Sequence, residues 1–100
     1  MEGKRQQLLL APHIRPKLNA KARIQIDNVT GESVLLYPEG VLLLNTTGAA
    51  IIELCDGQHS FSEISTELSR RYNAAPASLQ QDISEYLMLI QQHALLEFVS

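Results

Sequence analysis

Tryptophan is absent from this chain of 100 residues, and aromatic residues make up only 5% of it. Any core must therefore be aliphatic. One cysteine, Cys55, excludes an intramolecular disulfide. No stretch approaches the ~18–20 apolar residues of a membrane span. The start, Met1 to Gln7, is polar, and the apolar run after it is only Leu8 to Ala11 before Pro12. A signal peptide needs ~7–15 apolar residues there, so the cytoplasm is the expected location. The glycines stand singly, so there is no Gly-rich phosphate loop. Cys-x-x-Cys and His-Glu-x-x-His patterns are also lacking.

Lysine is missing from everything beyond residue 23. Residues 1–23 carry Lys4, Arg5, Arg15, Lys17, Lys21 and Arg23 against Glu2, a balance of +5. Residues 24–100 carry only Arg70 and Arg71 against ten acids, a balance of −8. An acidic body repels phosphate backbones and favours neutral or basic partners. The composition, 45% hydrophobic and 19% charged, is that of a globular domain. A chain of this length buries roughly 65% of its extended surface, enough for one modest core. It is short for a cofactor-binding enzyme, and a binding module is the first expectation.

Residues 1–20 hold Pro12 and Pro16 and show no sustained period. They are read as a flexible N-terminal arm, with Leu8–Leu10 as an apolar element able to dock, and residues 21–100 as a single domain. From Ala22 the pattern alternates: Ala22, Ile24 and Ile26 on one side, Arg23, Gln25 and Asp27 on the other, a half-buried strand. Asn28-Val29-Thr30-Gly31 is a turn. Ser33–Tyr37 is a second strand, Tyr37-Pro38-Glu39-Gly40 a turn, and Val41–Leu44 a third strand. That third strand is apolar on both faces, so something should cover its second face or its free edge.

Three helices follow. Asn45, Thr46 or Thr47 can cap the first, and Gly57 can end it in a left-handed turn. Ser60 with Glu63 is a capping box for the second. The third starts at Pro76 and carries Leu79, Ile83, Tyr86, Leu87, Ile90 and Ala94 on one stripe. Leu89 and Met88 lie off that stripe. Leu95–Val99 can close as a short strand or pack on the sheet. Gly48, in the first turn of a helix, lowers helix stability, and a close backbone approach would explain it. The expected fold class is α+β: a three-stranded antiparallel sheet followed by a three-helix bundle, winged-helix-like in shape.

Candidate chemistry is thin. Cys55, Asp56 and His59 are close in sequence, but His13 and His93 are far away, so no metal set is expected. A Cys55–His59 nucleophile pair is disfavoured, because a helix C-terminus and the acids Glu53 and Asp56 raise a thiol pKa. A small winged-helix DNA-binding regulator is the alternative reading. It needs a basic recognition helix, and the helix from Pro76 to His93 has Asp82 and Glu85 but no Lys or Arg. Peptide binding by strand addition at the third strand remains.

Leu35-Leu36-Tyr37-Pro38-Glu39-Gly40-Val41, Leu44-Asn45 with Thr47, and Ala50-Ile51-Ile52-Glu53-Leu54-Cys55-Asp56-Gly57 form a distinctive series. With Glu63-Ile64, Leu68, Tyr72, Asp82 and Tyr86-Leu87 they resemble PqqD, the pyrroloquinoline quinone (PQQ) biosynthesis protein D family, over about residues 16–96. The resemblance implies a winged-helix-like peptide-recognition element of modified-peptide pathways. Such proteins act as peptide chaperones. They bind a ribosomal precursor peptide and hand it to a radical S-adenosylmethionine enzyme that cross-links a Glu and a Tyr within it. They are not themselves catalysts; for this chain no cofactor is expected, and a monomer or weak homodimer is. The leader peptide adds as a strand between the third strand and third helix. Carried over, that groove is Val41, Leu42, Leu43 and Leu44 facing Ile83, Tyr86, Leu87 and Ile90. Two positions depart from the family pattern: Leu43, where a polar residue is frequent, and Gly48, where Ala is common.

Overall fold

The computed structural model describes residues 9–100. Eight elements follow in order: β1 (Arg15–Leu18), β2 (Arg23–Ile26), β3 (Ser33–Tyr37), β4 (Gly40–Leu44), α1 (Thr46–Glu53), α2 (Phe61–Tyr72), α3 (Pro76–Gln92) and β5 (Leu96–Val99). The strands form two antiparallel sheets, one of order β2-β3-β4 and one pairing β1 with β5. The α+β architecture is as expected; the second sheet is an addition to it.

The β2-β3-β4 meander follows from its turns. Asp27 nucleates the β2–β3 turn, its Oδ1 accepting from the Val29 N–H at 2.8 Å, and Gly31 takes φ +77°. Two residues, Pro38 and Glu39, join β3 to β4, with Tyr37 opposite Gly40. The helices start where their caps stand. Asn45 Oδ1 accepts from the Gly48 N–H at 2.6 Å to begin α1. Ser60 and Glu63 complete the capping box of α2, at 2.8 Å and 3.1 Å. Pro76 opens α3 without a side-chain cap. Leu35, Ile64, Leu68, Ile83, Leu87 and Ile90 are wholly buried and bring the sheet and the helices into one aliphatic core.

The segment read as a flexible arm extending to residue 20 is corrected in its second half. Arg15–Leu18 form β1, in register with β5 from Arg15 opposite Val99 to Leu18 opposite Leu96. The other side of β1 is also occupied: the Leu18 N–H donates to Cys55 O at 2.9 Å and the Gly57 N–H to Pro16 O at 2.9 Å. Pro16 fits because main-chain groups of one residue in an antiparallel strand point the same way. Its missing N–H falls on the Gly57 side, so the ladder to β5 is intact. Upstream of β1, the Leu10 N–H donates to Ser84 Oγ at 3.1 Å, and the Phe61 N–H donates to Ile14 O at 2.6 Å. Leu10 thus packs on α3 and the core. The part of the arm reading that concerns residues 1–8, Leu8 included, lies outside the described residues.

Cys55 belongs to this core. It is 3% exposed, and its thiol donates to Ile51 O at 3.3 Å. Burial first, and the Asp56 charge second, push its pKa up to about 12. The folded chain holds this proton more tightly than the unfolded chain. The resulting stability is full below about pH 9 and is lost as pH rises towards 12.

Two outcomes follow from this packing. A chain beginning at Lys21 lacks β1 and the buried Pro16; it should melt at least ~8–16 °C lower by circular dichroism, corresponding to about 2 kcal/mol of lost hydrogen bonding and burial. A melting point within about 2 °C of the full chain would show β1 to be dispensable. Cys55 should resist iodoacetamide at pH 8 in the native protein and react once urea exposes it, since the thiolate is the nucleophile. Rapid native labelling, read by mass spectrometry, would contradict the buried thiol.

Candidate functional site

The turn between β3 and β4 decides what β4 presents. A two-residue turn closes on a hydrogen-bonded pair, here Tyr37 and Gly40. Pairs then alternate along the ladder. Leu35–Leu42 and Ser33–Leu44 exchange main-chain hydrogen bonds, whereas Leu36–Val41 and Val34–Leu43 do not. The N–H and C=O groups of Val41 and Leu43 therefore point away from β3. On that side no described strand pairs with β4, which is an edge of its sheet. Among the described residues, these four main-chain groups have no strand partner and can receive a further strand.

The same alternation sorts the side chains. Leu42 and Leu44 share the inner face with Leu35; Leu44 is buried and Leu42 half-buried. Val41 and Leu43 lie on the outer face, 57% and 65% exposed. Their cross-strand neighbours there are Leu36 and Val34, both half-buried. Beyond those stand Arg23 and Gln25 of β2, opposite Leu36 and Val34. The outer face thus turns from polar at β2 to apolar at β4, and its most exposed apolar side chains stand beside the open main-chain edge. Arg23 and Gln25 mark the end of the patch.

The residues expected to face β4 from α3 divide into two kinds. Ile83, Leu87 and Ile90 are 0% exposed. They are core residues that hold α3 in place and offer no surface to a ligand in this structure. A stripe at helical spacing does not distinguish core from groove, because both demand apolar residues on one face. Tyr86 is different. It is half-buried, packs against the core, and brings its hydroxyl against Gly48 near the end of β4. Burial, and secondarily the nearby Cys55, raise the pKa of this phenol above its ordinary range, so it is a neutral hydrogen-bonding group. Leu89, one turn further along α3, is 49% exposed and was not read as a site residue. Its position off the inward stripe was the available signal.

The remaining candidates do not assemble into chemistry. Asp56 bonds its own loop: its Oδ1 accepts from the N–H groups of Gln58 and His59 at 2.8 and 3.0 Å, and the His59 ring lies 3.0 Å away. Slight burial pushes the Asp56 carboxyl up, but these donors outweigh it and hold it below the usual range. Among the described residues no three His, Cys, Asp or Glu side chains form a metal-binding group. No helix among them is long and apolar enough to cross a membrane. A pocket of about 550 Å³ lies at the turn end of β3 and β4, near the end of α3. It mixes Lys21 and His93 with Glu39 and does not converge on one ligand chemistry.

Comparison with known proteins agrees with this architecture. The family model for coenzyme PQQ synthesis protein D (PqqD) matches residues 32–96. The PqqA binding protein of Methylococcus capsulatus is 41% identical over 78 residues, which cover 78% of this chain and 82% of that protein. The solution NMR structure of the PqqD truncation of Methylobacterium extorquens PqqCD superposes with a TM-score of 0.73 at 31% identity. It covers 91% of this chain and 96% of that one, and represents a functional, stand-alone recognition element for ribosomally synthesized and post-translationally modified peptides. The crystal structure of PqqD from Xanthomonas campestris superposes with a TM-score of 0.56 at 29% identity, over 80% of this chain and 89% of that one. The matched segment runs from the β3–β4 hairpin through α3 into β5, the parts that build the open edge, and on sequence and fold together the chain belongs to the PqqD family.

Proposed function

We propose that this chain is a peptide chaperone of PQQ biosynthesis that binds a PqqA-type precursor peptide as an additional strand on the β4 edge. The observation that carries the reading is the coincidence, at Val41 and Leu43, of outward main-chain groups with exposed apolar side chains. Strand addition takes affinity from main-chain hydrogen bonds and specificity from alternate side chains, and this edge supplies both. The relative named for PqqA binding and the solved recognition element support the peptide as the ligand. In this reading the bound peptide is presented to a radical S-adenosylmethionine enzyme that cross-links its Glu and Tyr. The chain performs no bond chemistry, carries no cofactor, and works in the cytoplasm as a monomer or weak homodimer. Duplex DNA is a poor fit, because α3 carries Asp82 and Glu85 and no Lys or Arg.

The parity of β4 makes the test sharp. Leu43→Pro removes an N–H that faces the open edge and leaves the β3–β4 ladder whole, so the variant should fold. Each main-chain hydrogen bond is worth a net ~0.5–1.5 kcal/mol, and the proline ring also stands in the path of an incoming strand. Binding of a synthetic PqqA peptide, measured by calorimetry, should be abolished. Leu42→Pro removes an N–H bonded to β3 and should lower the melting temperature instead. Leu43→Lys keeps the edge and loses only apolar contact, weakening binding by ~1–2 kcal/mol at most. A folded Leu43→Pro variant that binds as tightly as the parent would rule out strand addition here.

A further inference from the structure

Gly48 is unfavourable on local grounds. It occupies the third position of α1, where glycine is the poorest helix former after proline. Its φ is not positive, so it gains nothing from glycine's conformational freedom. The reason for it is tertiary. A β-carbon at this position would lie 2.6 Å from the Tyr86 hydroxyl oxygen, 2.9 Å from Tyr86 Cζ and 3.1 Å from Asn45 Oδ1. The two Tyr86 distances are shorter than real β-carbon contacts and are clashes, whereas the approach to Asn45 is only tight. The phenol from α3 occupies the space that any other residue at 48 would fill.

The surroundings determine what would move. Asn45 is fixed by its capping bond, which accepts the Gly48 N–H itself at 2.6 Å. The backbone of α1 is held by the buried Ala49, Ala50, Ile51 and Ile52. The tip of Tyr86, two torsions from its backbone, is the free party. Its hydroxyl end sits against Gly48 in the first turn of α1, whose cap Asn45 directly follows Leu44, the last residue of β4. We propose that Gly48 is a specificity-determining residue: by lacking a side chain it seats the Tyr86 phenol at the end of the β4 edge, where the ring forms the end wall of the bound peptide strand. The inference rests on the peptide-binding reading and adds to it a fixed stop, which sets how far along β4 the ligand extends. With a methyl group at 48, the ring is displaced and the stop is lost or thrown across the edge.

The experiment uses the full chain and a synthetic PqqA peptide. In the free parent, NMR should show contacts between the Gly48 α-protons and the Tyr86 ring protons. Gly48→Ala should stay folded, move the Tyr86 ring resonances, and bind the peptide at least tenfold more weakly. Tyr86→Ala should weaken binding comparably. The double variant Gly48→Ala/Tyr86→Ala should bind no worse than Tyr86→Ala alone, because both changes remove the same contact. Additive losses in the double variant, or parent-like affinity in folded Gly48→Ala, would overturn the proposal. Should Gly48→Ala fail to fold, Tyr86→Ala decides: parent-like affinity there overturns the proposal, and weakened binding with the NMR contact present supports it. A parent chain that does not bind the peptide removes the functional reading and this inference together; a parent that binds, with Gly48→Ala equal to it, removes the inference alone.

Discussion

The pairing of Tyr37 with Gly40 across a two-residue turn sets the terms for the rest of this molecule. One residue more or less in that turn would exchange the roles of alternate positions along β4. Leu42 and Leu44 would face solvent, Val41 and Leu43 would be driven into the core, and the outward N–H groups would belong to different residues. The aliphatic core, without tryptophan to fill gaps, leaves little tolerance for such a slip, because Leu35 and Leu44 are needed inside. Packing and edge chemistry are thus fixed by the same local geometry. Pro38 contributes by presetting φ at the first turn position.

Much of this was legible from residues alone, for reasons that can be named. Alternation at Ile24 and Ile26, the Tyr-Pro-Glu-Gly turn and the Ser60–Glu63 box are short-range signals, and each element they mark is present. β1 was not legible. Its partner β5 lies 78 to 84 residues further along the chain, and Pro16 with its flanking charges conceals a strand whose two sides are both occupied. Local pattern carries no information about such pairings. The site divides in the same way. The apolar character of Val41–Leu44 was visible, but which two of the four residues face out depends on register. Spacing put Ile83, Leu87 and Ile90 on the inward stripe of α3, and only the family resemblance placed them in the groove; in this structure they are completely buried. Gly48 was visible as an anomaly and explicable only once α3 was placed over α1.

β1 also ties parts of the chain that the sequence presents as separate. It takes β5 on one side and the Cys55–Gly57 connection on the other, so the end of α1, the end of α3 and the N-terminal segment meet at one strand. Gly57, at φ +78°, lies with its α-carbon close enough to Lys17 that a β-carbon would come within 3.2 Å of the lysine side chain. The Cys55-Asp56-Gly57 sequence therefore does more than end a helix: it forms the second wall of this strand. The contacts of Leu10 and Ile14 continue the same tie onto α3 and the start of α2.

An open edge with two outward-facing residues has a consequence for timing. In the proposed strand addition, a ligand that slipped by one residue would turn its wrong face to the domain, and the mismatch would expel it quickly. A slip by two residues preserves every alternation and nearly every main-chain bond, so backbone pairing by itself would let a peptide step along β4 between almost equivalent positions. Residence in one register is then a matter of asymmetry at the ends of the track. The Pro38–Glu39 turn bounds one end and the Asn45 cap of α1 the other, so the short length of β4, which limits how tightly the edge can hold a strand, is also what limits how far the strand can wander.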